Sequence, residues 1–127
     1  MTTALPVFLG AGLGGLLRHM LNTAITNVAG GHFPYGILTV NILGSFAMGL
    51  LAGWLAFRGE TVPPELRLFF ATGFLGGFTT FSAFSLDTAL LIERGETGLA
   101  AAYVVGSVAL SLLGLFIGLW ATRTALG

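Results

Sequence analysis

Four long apolar stretches limit what this chain can fold into. They run approximately over residues 5–25, 37–57, 65–93 and 99–121, with short polar connections between them. About 20 apolar residues in a helix cross the roughly 30 Å hydrocarbon core of a bilayer, where only helices or closed barrels satisfy their own backbone. Charged residues make up 8% of the 127 residues, against about 25% in a typical soluble domain. The expectation is an all-α integral membrane protein: one membrane domain over residues 1–127, four transmembrane helices, no soluble domain and no linker. An even number of spans puts both ends of the chain on one side. Met1 to Pro6 lack the basic region of a cleaved signal peptide, so the first stretch is expected to remain as a span.

The same composition removes several function classes. Formal net charge is zero and lysine is absent, so there is no basic surface for nucleic acid. Without cysteine there is no disulfide or thiol chemistry. The histidines and acids are scattered without metal-ligand spacing, and no nucleophile–base pair is visible, so no enzymatic activity is expected. Arg58, Arg67 and Arg123 would share one membrane side. Arg94 lies on the other, joined by Arg18 if it reaches outward. That is a weak positive-inside bias. A single orientation set by a modest signal and insertion both ways are both open.

The third stretch carries the feature around which the rest is organised. Gly73-Phe74-Leu75-Gly76-Gly77-Phe78-Thr79-Thr80-Phe81-Ser82-Ala83-Phe84-Ser85 lies where an unbroken helix would otherwise run. Each glycine weakens a helix by about 1 kcal/mol relative to alanine, and threonine hydroxyls compete for backbone partners. A break over residues 76–80 is expected, leaving two pieces that span only together. Irregular backbone at that depth survives when buried in protein or lining a cavity. The carbonyls of Gly76 to Thr79 would suit a small hard cation, and the start of the second half-helix an anion. Phe81 and Phe84, three apart, share a helix face, and the positive edges of their rings can attract an anion. Ordinary core or lipid packing is the competing account of that pair.

Other polar residues in apolar surroundings leave two readings each. Asn41 is either an interhelical hydrogen bond or an uncharged donor to an anion. Tyr103, Ser107 and Ser111, at spacing four, are either locally bonded hydroxyls or a track that replaces an anion's water stepwise. Arg18 either snorkels or raises the anion concentration at a pore mouth. Asp87 either faces a vestibule or bonds a neighbouring helix. Gly10, Gly12, Gly14 and Gly15 in the first stretch, and Gly49-x-x-x-Gly53 in the second, would allow close helix approach. Pro63-Pro64 suits a helix start.

Taken together, Thr72-Gly73 and Gly76-Gly77-Phe78-Thr79-Thr80-Phe81-Ser82-Ala83-Phe84-Ser85 resemble the signature of the Fluc (CrcB-type) fluoride channels. Leu17-Arg18, Pro34-Tyr35-Gly36-Ile37-Leu38-Thr39-Val40-Asn41, and Tyr103, Ser107 and Ser111 agree in order and spacing. The resemblance covers nearly the whole chain. It implies an antiparallel, dual-topology homodimer in the bacterial cytoplasmic (inner) membrane that exports cytoplasmic fluoride passively through two pores, lowering fluoride toxicity. It further implies a central structural sodium ion held by the backbone carbonyls of Gly76 and Thr79. The ion pathway would comprise Asn41, Phe81, Ser82, Phe84, Tyr103, Ser107 and Ser111, with Arg18 at a pore entrance. Ala83 stands where many members have threonine, so one hydroxyl of the track is missing. Ile37 replaces another frequent threonine.

Two other classes compete. A proton- or sodium-coupled small-anion transporter is compatible with a broken helix and Asp87. A small multidrug-type exporter would want a membrane-embedded acid in the first stretch, and residues 1–27 contain none.

Overall fold

The computed structural model describes residues 3–127. The chain makes four helical passages. They are α1 (Ala4–Ala29), α2 (Tyr35–Arg58), a composite third passage, and α6 (Thr97–Leu126). The third passage comprises α3 (Pro64–Arg67), a π-helical run Leu68–Leu75, α4 (Gly76–Phe78) and α5 (Phe81–Glu93). All four passages have the length and apolar composition to cross a membrane. At 1.5 Å per residue, α1 is about 39 Å long and α6 about 45 Å, both long enough to cross about 30 Å of hydrocarbon with some tilt.

The connections follow from local chemistry. Pro64 occupies the first turn of α3, where a missing N–H has no consequence. Gly30 ends α1 with φ 86° and Gly95 follows α5 with φ 81°, a left-handed backbone that a side chain would strain. These two turns meet. Arg94 donates to the His32 carbonyl, and His32 Nε2 lies 3.8 Å from Glu96 Oε1.

Packing runs along two seams where backbones touch. In the seam between α2 and α6, a Cβ added at Gly49 would sit 2.9 Å from the Leu115 carbonyl carbon, and one at Gly118 would sit 2.7 Å from Leu50 N. Thr122 Oγ1 lies 3.0 Å from Gly118 O and 3.1 Å from Leu50 O, adding a hydroxyl bond across this seam. The second seam joins α1 to the third passage. A Cβ at Gly10 would approach Phe74 N to 2.8 Å, one at Gly14 Phe78 N to 2.9 Å, and one at Gly77 the Ala11 Cα to 2.9 Å. Of the four glycines expected to pack in α1, Gly12 and Gly15 meet nothing within 4 Å.

Gly76 and Gly77 are helical. The extended residues are Thr79 (φ −84°, ψ 156°) and Thr80 (φ −152°, ψ 120°). Gly77 therefore serves close approach to α1 rather than loss of helix, and the interruption is two residues long.

Candidate functional site

The interruption is built from side chains of three elements. Thr79 closes the first half, its Oγ1 donating to Leu75 O at 3.0 Å. Thr80 opens the second half as an N-cap, its Oγ1 accepting from Ala83 N at 3.2 Å, the usual task of threonine there. Asn41, on α2, supplies the missing backbone partner. Its Oδ1 accepts from Thr80 N at 2.9 Å and its Nδ2 donates to Thr80 O at 3.1 Å. The carboxamide thus imitates a peptide group opposite extended backbone. An amide nitrogen carries two protons, so one Asn41 N–H remains after this clamp.

Beside the interruption lies a cavity of about 420 Å³, not enclosed by this chain. It brings together five of the expected pathway residues: Asn41, Phe81, Phe84, Ser107 and Ser111. Gly44, Ser45, Thr79 and Thr80 also line it. Gly44 is glycine because a Cβ would run into the Thr79 methyl and come within 3.1 Å of the Phe78 ring. Phe81 and Phe84 lie with centroids 5.5 Å apart and planes at 49°. Their surroundings differ: Phe81 is 77% exposed and Phe84 9%.

The hydroxyls fall into two groups. Ser85, Thr88 and Thr124 donate to carbonyls four residues back, at 3.0, 2.9 and 2.8 Å. That is the common fate of a hydroxyl in a membrane helix. Ser107 does not follow it. Its Oγ is buried and has no hydrogen-bond partner, yet it lines the cavity. A buried polar atom left unsatisfied costs about 1–3 kcal/mol, so this hydroxyl is a donor without a partner in the wall of the cavity.

Four expected site residues lie outside the cavity lining. Tyr103 is fully buried, packed on Phe84 at 5.1 Å and edge-on to Phe33 at 5.6 Å. Its hydroxyl donates to Asp87 Oδ2 at 3.1 Å, so Asp87 bonds a neighbouring helix. Ser82 is exposed, with Oγ 3.3 Å from Thr80 Oγ1. Gly76 is exposed on α4. Arg18 is half-buried, and its Nη1 donates to Gly77 O at 2.9 Å. Sequence reasoning missed Ser45 and Thr80 as lining residues. The signal for Ser45 was present: it lies four residues after Asn41, hence on the same face of α2.

A multi-pass membrane protein with an interrupted helix beside a largely apolar cavity that holds a few hydroxyl and amide groups is the class these features define. The chain belongs to the CrcB family: residues 5–119 match the family described as CrcB-like protein, Camphor Resistance (CrcB). Relatives named fluoride-specific ion channels agree over almost the full length. FluC 2 of Nitrobacter hamburgensis is 58% identical over 117 residues, 92% of this chain and 94% of its own. FluC of Beijerinckia indica is 58% identical over 125 residues, 98% of each chain. FluC of Rhodopseudomonas palustris is 57% identical over 117 residues, 92% of this chain and 94% of its own.

Proposed function

We propose that this protein is a fluoride-selective ion channel through which cytoplasmic fluoride leaves passively along the polar path beside the helix interruption. The observation that carries the reading is the buried, unpartnered Ser107 hydroxyl lining a cavity shared with Asn41, Phe81 and Phe84. The names of the relatives supply the choice of halide. A bare ion moved into a medium of low dielectric loses tens of kcal/mol of solvation. A pathway must return most of that through donors without becoming a trap. The free Asn41 N–H and the hydroxyls of Ser45, Ser107 and Ser111 are neutral donors suited to this, and the ring edges of Phe81 and Phe84 add weak positive potential. Ser82 and Tyr103 belong to the same track, Tyr103 through its hold on Phe84.

A second copy completes the site in this reading. Polar groups facing hydrocarbon must be covered by protein, and one chain does not enclose the cavity. An antiparallel, dual-topology homodimer in the bacterial inner membrane covers it, and the weak arginine bias is compatible with insertion both ways. The residues at the interruption also fit a structural sodium ion. Thr80 N and Ala83 N, which would close onto Gly76 O and Thr79 O in a continuous helix, are directed to Asn41 and to the Thr80 side chain. Gly76 and Thr79 thus each offer a main-chain oxygen relieved of its helical donor, the ligand type a hard cation takes. When bound, that ion supplies a fixed positive charge next to the anion path.

The test is efflux from liposomes containing the purified protein. Fast fluoride loss with negligible chloride loss is expected, unaffected by imposed pH or sodium gradients. Equal loss of both anions would refute selectivity, and gradient-driven flux would make the protein a coupled transporter instead.

A further inference from the structure

Four N–H groups lose their helical acceptors at the interruption. In a continuous helix Thr80, Phe81, Ser82 and Ala83 would donate to Gly76, Gly77, Phe78 and Thr79. Of the carbonyls so affected, Gly77 O receives a replacement from another helix, the Arg18 guanidinium at 2.9 Å. The contact is set up by the seam itself: Gly14 of α1 meets Phe74 and Phe78, and Gly77 meets Ala11, so the passage holding Gly77 lies against the helix that carries Arg18. Among the described residues no carboxylate lies within ion-pair distance of Arg18, and Arg18 does not line the cavity. A half-buried arginine in a membrane helix needs a partner, and here the partner is backbone.

We infer that Arg18 is a positioning residue for the interruption: its guanidinium caps the Gly77 carbonyl and locks the end of the first half-helix to α1. Its charge acts on the backbone rather than on anions at a pore mouth. The channel reading enters only through the flux measurement below.

The experiment compares the full-length protein with R18K and R18M in liposomes, by hydrogen exchange over residues 77–84 and by fluoride efflux at low and high ionic strength. A charge-assisted bond of this kind predicts that R18M speeds local exchange about tenfold or more, while exchange along the α2–α6 seam stays unchanged. R18K, which keeps a charged donor, restores most of the protection. Efflux through R18M drops equally at both ionic strengths, because a geometric defect is not screened, whereas a mouth charge loses its reach as the Debye length shrinks to about 3 Å at 1 M salt. If R18M does not fold, R18Q takes its place against R18K with the same expectation. Unchanged exchange over the interruption, or a flux loss abolished by salt, overturns the inference. If the parent protein passes no fluoride, the channel reading fails, and the exchange comparison still decides the role of Arg18.

Discussion

The two glycine seams of this protein use the same device to different ends. Between α2 and α6, Gly49 and Gly118 bring two uninterrupted helices into backbone contact, and Thr122 adds a hydroxyl bond across it. Both helices run unbroken through it, and the cross-seam bond goes from the Thr122 hydroxyl to Leu50 O, so the seam contributes stability and offers little chemistry. Between α1 and the third passage, Gly10, Gly14 and Gly77 achieve equal proximity, but the partner helix stops two residues later. Its backbone is then completed by Asn41 from α2 and Arg18 from α1. The lesson is that glycine supplies the closeness in both places, while the interruption comes from Thr79, Thr80 and the amide that replaces a peptide partner.

That contrast can be broken by substitution. The largest effect is expected for Asn41→Asp. It removes the donor to Thr80 O, sets a carboxylate oxygen against that carbonyl and places negative charge on the anion path. Losing hydrogen bonds worth about 1–3 kcal/mol each predicts a fluoride flux at least roughly tenfold lower per folded molecule; undiminished efflux would detach Asn41 from the pathway. Next comes Gly49→Ala in the regular seam. Its Cβ has no room against Leu115 and Gly118, and overpacking of this kind costs about 1–3 kcal/mol. Denaturation should register that loss while flux per folded molecule is retained. A flux change without a stability change would erase the distinction between the seams. The smallest effect is expected for Ser107→Ala. Efflux should fall severalfold, yet stability should hold or rise by about 1 kcal/mol, since an unsatisfied buried hydroxyl is removed. A clear loss of stability would mean that Ser107 already has a partner in the folded protein.

Much of this architecture was legible in the residues. The four passages follow from apolar length, and the start at Pro64 and the turns at Gly30 and Gly95 follow from local chemistry. Of the residues expected along a pathway, Asn41, Phe81, Phe84, Ser107 and Ser111 line one cavity. The exact place of the interruption was not legible. Gly76 and Gly77 carry the stronger helix-breaking propensity, and yet they are helical; Gly77 is glycine because α1 leaves no room there for a side chain. Neither the capture of Arg18 by a carbonyl fifty-nine residues away nor the pairing of Tyr103 with Asp87 has a local signal.

What the sequence alone determined is the solvent and the count: long apolar runs with few charges can only be helices crossing hydrocarbon, whichever neighbours they acquire. What the tertiary structure decided is which polar groups are spent and which stay free. Ser85, Thr88 and Ser107 are similar hydroxyls on similar helices, and the first two bond their own backbone while the third faces a cavity unpaired. A hydrogen bond depends on atoms within about 3 Å, and only the packing of one helix against another sets that distance.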